Sequence, residues 1–76
     1  MQGAGVKKAI LWDAAFREHT LVRFLEPTEA MEDAGATMFL IQGRFIAYGK
    51  CWVRVAALDG DYSGKLTGGR EVEILS

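Results

Sequence analysis

The spacing of glycines beyond residue 36 constrains this chain more than any other feature. From Thr37 to Tyr62, apolar, β-branched and aromatic runs are separated by turn signals at Gln42-Gly43, Gly49-Lys50 and Asp59-Gly60, and Thr67-Gly68-Gly69 follows. Short runs of this composition between such residues read as antiparallel strands joined by hairpins. The pattern predicts strands near 37–41, 44–48, 51–58, 61–66 and 70–75.

The N-terminal third is set apart by Pro27, the single proline. After it, Thr28 to Gly35 predicts a short helical turn near 28–34, with Thr28 as N-cap, Glu29 near the positive end of the dipole and Gly35 at the stop. Before it, Lys8 to Leu25 admits two readings. As a helix, Ile10, Leu11, Ala14, Ala15, Leu21, Val22 and Leu25 share one stripe, yet Glu18 falls in its centre and Trp12 and Phe16 lie on its polar side. As two strands, it gives Lys7 to Asp13 and His19 to Glu26. The strands fit better, because Glu18 is misplaced for the helix and Pro27 disfavours helix at Glu26. The fold class expected is mainly β: a small antiparallel barrel, SH3-like or OB-like, or a strongly curled sheet of 5–7 strands. The alternative is α+β, with an N-terminal helix within 8–26 packed on a five-stranded antiparallel meander. Residues 1–76 form one domain in this reading, with 1–6 expected to fray.

Size then limits stability. A chain of 76 residues buries only about 60% of the surface that its unfolded form exposes. Folds this small draw on disulfides, a structural metal or a partner. Cys51 is the only cysteine, so no internal bridge can form. A lone cysteine within an apolar run reads as a small buried hydrophobe in a reducing, cytoplasmic protein. Net charge is −1, divided as −2 through Gly35 and +1 after it. No strong field therefore points to duplex nucleic acid or to an anionic membrane. The apolar stretch after Lys7-Lys8 is broken by Asp13, which fits neither a signal peptide nor a membrane span.

Catalytic and cofactor patterns are absent from the sequence. Gly43 to Gly49-Lys50 encloses five residues where a phosphate loop needs four, and Gly60 to Gly64-Lys65 encloses three. Gly3-Ala4-Gly5 lacks the preceding strand and third glycine of a dinucleotide fingerprint. One histidine and one cysteine, far apart, cannot make a structural zinc site. Glu29, Glu32 and Asp33 lack the alternating ligands of a calcium loop and read as a solvated face. His19 beside Glu18 is an isolated acid–base candidate, Ser63 does not sit on a nucleophile elbow, and Asp59 and Asp61 are explained by the turn at Gly60. The expectation is no catalytic residue, no metal and no cofactor.

Surfaces carry more information. Two-residue turns at Gln42-Gly43 and Gly49-Lys50 would pair Phe39 with Ile46, Ile46 with Val53 and Phe45 with Arg54. One face then holds Phe39, Ile41, Ile46, Tyr48, Cys51, Val53 and Val55. The other holds Met38, Leu40, Phe45, Ala47, Trp52, Arg54, Ala56 and Leu58. Both are apolar, whereas a sheet with one wet face should alternate apolar and polar. Met38, Leu40, Phe45, Trp52, Arg54 and Leu58 are therefore the candidate interface of a non-enzymatic interaction or assembly module. Its expected partner is a second copy in a symmetric dimer, or another protein. The alternative function is single-stranded nucleic-acid binding, with Trp12, Tyr48, Trp52 and Tyr62 stacking bases and Lys50, Arg54, Lys65 and Arg70 tracking the backbone. The mild negative charge weighs against it. A third reading is an enzyme whose site is shared between protomers around His19.

Overall fold

The computed structural model describes residues 7–16 and 20–75. Six antiparallel strands form one sheet: β1 (Lys7–Ile10), β2 (Leu21–Phe24), β3 (Phe39–Ala47), β4 (Lys50–Ala57), β5 (Ser63–Thr67) and β6 (Glu71–Ile74). Two single-turn helices interrupt them, α1 (Leu11–Ala14) after β1 and α2 (Glu29–Asp33) after β2. The order across the sheet is β1-β6-β2-β3-β4-β5.

That order forces curvature. In a flat sheet β5 and β6 would stand four strand spacings apart, about 19 Å. The link from Thr67 to Glu71 has four Cα steps and reaches at most about 15 Å. The sheet must therefore curl until the far edge approaches β6, and α1 sits in the resulting gap. There the Leu11 amide donates to the Arg70 carbonyl at 2.7 Å, and the Trp12 amide to that of Gly68 at 2.9 Å. Gly68 is required at this crossing, since a Cβ on it would stand 2.8 Å from Cβ of Trp12. The sheet is mainly β and strongly curled but not closed into a barrel.

The core lies on one face. Val22, Phe24, Phe39, Ile41, Val53, Val55, Leu66 and Val72 project from the strands into one buried cluster with Leu11, Ala14 and Ala15 of the α1 segment, Met31 of α2 and Ala36. Phe39 makes edge-to-face contacts with Phe24 (5.0 Å between centroids) and Tyr62 (5.7 Å). Thr28 caps α2 as expected, its hydroxyl accepting from the Met31 amide at 3.2 Å, and Gly35 follows with φ +68°.

Several expectations are corrected. Gln42-Gly43 is not a turn: β3 runs through it, with Ile41 opposite Val55 and Gly43 opposite Arg54, so Gln42 is the extra residue of a β-bulge. The strands expected at 37–41 and 44–48 are thus one. Phe39 faces Ala57, Phe45 faces Trp52 and Ile46 faces Cys51, in place of the pairings above. The hairpin turn is Tyr48-Gly49, both residues at positive φ (54° and 70°), which is the type I′ geometry that matches strand twist. Thr67-Gly68-Gly69 does not close a hairpin either; it sends β6 between β1 and β2, which overturns the meander. The N-terminal strands are shorter than 7–13 and 19–26, and the long helix within 8–26 is replaced by the single turn of α1. Cys51 is exposed, not buried, because the β3–β4 hairpin extends past the covered part of the sheet; Ile46 opposite it is 70% exposed. Glu18, His19, Ser76 and residues 1–6 lie outside the described residues.

Candidate functional site: the outer sheet face

Alternation along each strand fixes which side chains turn away from the core. On β4, Val53 and Val55 are fully buried, so Lys50, Trp52, Arg54 and Ala56 face outward, and Leu58 continues the row. On β3, Leu40 faces outward before the bulge, with Met38 continuing its row. Gly43, Phe45 and Ala47 do so after the bulge, because the extra residue inverts the alternation. On β5, Lys65 stands opposite Arg54 and Thr67 opposite Trp52. Leu21 lies opposite Leu40, and Arg23 opposite Glu73.

The six residues expected as an interface thus share one face. Met38, Leu40, Phe45 and Trp52 are half-buried, Arg54 is exposed and Leu58 is 58% exposed. The Trp52 indole N–H donates to the Ala47 carbonyl at 3.0 Å, which satisfies its polar end and fixes the ring against the sheet. Lys65 Nζ stands 5.3 Å from the Trp52 ring centroid, and the Arg54 guanidinium stands 5.6 Å from that of Phe45. These distances are within cation–π range. Each outer ring therefore carries a cation, a feature that register alone reveals. No carboxylate occupies an outward position on β3, β4 or β5.

The residues of the nucleic-acid alternative are divided. Lys50, Trp52, Arg54 and Lys65 belong to the outer face, and Tyr48 projects from the hairpin tip, 91% exposed. Tyr62 packs on Phe39 from the core side, and Trp12 packs against the core from α1. Arg70 lies at the β5–β6 crossing beside Glu26 and Glu71. Its Nε is buried without a hydrogen-bond partner.

Sequence reasoning missed two arrangements. Arg44 faces inward beyond the core and stacks on Phe16 (3.7 Å) and Trp12 (4.8 Å), which the assumed turn at Gln42-Gly43 concealed. Asp59 is more than a turn residue: its carboxylate accepts the backbone amides of Thr37 and Met38, each at 2.9 Å, and the Thr37 hydroxyl. The Met38 amide first, then the Thr37 hydroxyl and amide, hold its pKa at about 2 against an ordinary 3.8. The carboxylate ties the start of β3 to the end of β4.

Among the described residues, no cluster of three His, Cys, Asp or Glu side chains is placed to hold a metal ion. No helix among them is long and apolar enough to cross a membrane. What is defined is a class of architecture, a curled six-stranded antiparallel sheet with its core and helices on one side. Comparison with protein-family models, curated proteins and solved structures finds no match to this chain.

Proposed function

We propose that the protein is a non-enzymatic interaction and assembly module that self-associates through its outer sheet face. One observation carries the reading: among the described residues, both helices and the buried cluster lie on the inner face, and no helix or strand lies over Leu21, Met38, Leu40, Phe45, Trp52 and Leu58. Apolar and aromatic side chains with Arg54 and Lys65 set among them have the composition of an interaction site. Edge pairing is the weaker route, because β1 and β5 have only four and five residues and carry Lys7, Lys8 and Lys65. A symmetric dimer is the simplest closed assembly. An exposed free thiol at Cys51 fits a reducing, cytoplasmic compartment, where it would not be oxidised into mixed disulfides.

Light scattering across about 10–300 µM is the test. The expected result is a mass that rises with concentration towards twice 8.4 kDa. Leu58→Glu should hold the chain monomeric by placing a charge in the seam, and Trp52→Ala should cost about 2 kcal/mol or more of association. A constant 8.4 kDa with a cooperative melt overturns the reading.

The cations on Trp52 and Phe45 favour a second reading, in which the same face stacks single-stranded nucleic acid. The overall charge of −1 ranks it second. Salt-sensitive quenching of tryptophan fluorescence by an oligonucleotide at micromolar concentration, lost in Arg54→Ala, would reverse the order.

A further inference from the structure

We infer that the edge of β3 from Arg44 to Ala47 receives an added strand, an extended acidic segment of another protein. β3 outruns its neighbour. β2 pairs only with Phe39 and Leu40, and the Ile41 amide still donates to the Thr20 carbonyl at 3.0 Å. Among the described residues, nothing pairs with β3 further along that side. The ladder on the other side fixes which backbone groups are left. The Cys51 carbonyl accepts from Gly68 and the Ala57 amide donates to Tyr62, so alternate residues of β4 bond to β5. Lys50, Trp52 and Arg54 therefore bond to their partners Ala47, Phe45 and Gly43. Arg44 and Ile46 turn N–H and C=O the opposite way, to the side where β2 has ended. Unpaired groups in a row are a template for another strand.

Arg44 selects the occupant. Its guanidinium stacks on Phe16 and Trp12, which holds its plane, and among the described residues no ion pair engages it. No Asp or Glu occurs between residues 34 and 58, so nothing on β3 or β4 supplies a carboxylate. A second copy's β3 would bring another Arg44 and no acid. Residues paired across strands share a face. The side chain opposite Arg44 therefore lies beside the guanidinium, and the one opposite Ile46 beside an isoleucine that is 70% exposed. Antiparallel pairing reverses the order, so the segment reads apolar, any residue, then Asp or Glu. Backbone bonds give such a segment its affinity, and the forked arginine–carboxylate contact gives it selectivity. Pairing at the edge leaves the outer face open for the association proposed above.

Amide hydrogen exchange followed by NMR tests the edge first. In the free protein the Arg44 and Ile46 amides should exchange about tenfold or more faster than those of Phe45 and Ala47. The probe is the capped pentapeptide Thr-Val-Thr-Glu-Thr at millimolar concentration. It should shift the Arg44 and Ile46 resonances and slow their exchange, while its Gln counterpart should bind about fivefold or more weakly. Ile46→Pro removes the edge donor where proline is tolerated, and should abolish binding in a folded protein. Arg44→Glu, which leaves the backbone intact, should prefer a probe with Lys in place of Glu. Protection of the Arg44 and Ile46 amides in the free protein, no shift with the probe, or equal binding of the Glu and Gln probes overturns the inference. Protection that grows with protein concentration alone would give the edge to a second copy, and shifts produced only by an oligothymidylate would give it to nucleic acid; either also overturns it.

Discussion

Three glycine-to-alanine substitutions separate backbone conformation from packing, and the turn at Gly60 is where both act together. Gly60 has φ +81°, and a Cβ built on it stands 2.5 Å from the Ala34 carbonyl oxygen and 2.9 Å from the Ala36 nitrogen. Those atoms are backbone of the segment that ends α2, so no flexible side chain can yield. Left-handed backbone costs an alanine about 1–2 kcal/mol. Forced displacement of packed structure typically adds about 1–3 kcal/mol. Gly60→Ala should therefore destabilise by about 3 kcal/mol, which lowers Tm by roughly 12–24 °C in a domain of this size. Gly49 isolates the first effect: its φ is +70° and nothing lies within 4 Å of the added carbon. Gly49→Ala should cost only about 1–2 kcal/mol. Gly43, at the bulge, has neither constraint, so Gly43→Ala should be neutral or stabilise by up to about 1 kcal/mol. Thermal and urea unfolding of the three variants give the comparison. If Gly60→Ala and Gly49→Ala agree within about 0.5 kcal/mol, the β4–β5 turn does not pack on the end of α2 and the reasoning fails.

Tyr48, non-glycine at φ 54° and almost fully exposed, should be improved upon by Tyr48→Asn, which tolerates the left-handed turn and should raise stability by about 0.5–1 kcal/mol in the same melts. Cys51 should react with a thiol reagent in the native protein within about tenfold of its unfolded rate, whereas a packed thiol would be protected far more strongly. Asp59 is depressed from 3.8 to about 2 in the fold, so its contribution is complete above about pH 4 and is lost as pH falls towards 2. Melts from about pH 7 down to about pH 2 should show Asp59→Asn less stable than wild type at neutral pH and less sensitive to acid. Equal acid sensitivity of the two proteins would refute the carboxylate's role.

Which side chains share a face was legible in the sequence, while which residues pair was not. Phe39, Ile41, Val53 and Val55 were grouped correctly against Leu40, Phe45, Trp52 and Arg54, although the device assumed at Gln42-Gly43 was a turn and the device present is a bulge. Both invert the alternation of side chains along the chain, so face membership survives the exchange. Pairing does not, because a turn reverses the strand and a bulge only shifts it by one residue. Glycine after a polar residue is compatible with either, and the choice is made by β4, which supplies a partner along the whole of β3. The position of β6 was hidden for a related reason. Hairpin signals describe neighbours in sequence, and β6 finds its partners in β1 and β2, far from it along the chain. Cys51 was misjudged because apolar neighbours in sequence do not report how far a hairpin extends beyond the helix that covers it.

The candidate interface follows from the same economy of length. α1 and α2 have four and five residues, and with their flanking segments they cover one side of six strands. Among the described residues no helix or strand lies over the second side, and the chain's own cations partly shield its rings. The Trp52 indole N–H is satisfied by Ala47, and Lys65 and Arg54 stand over the two outer rings. Long basic side chains that lie along rings keep their charge in water while their stems cover apolar surface. Association through this face must displace or reuse those cations. That requirement favours a reversible dimer over an obligate one. Binding of this kind should be tuned by ionic strength more than by temperature, the reverse of an interface held by aliphatic contacts alone.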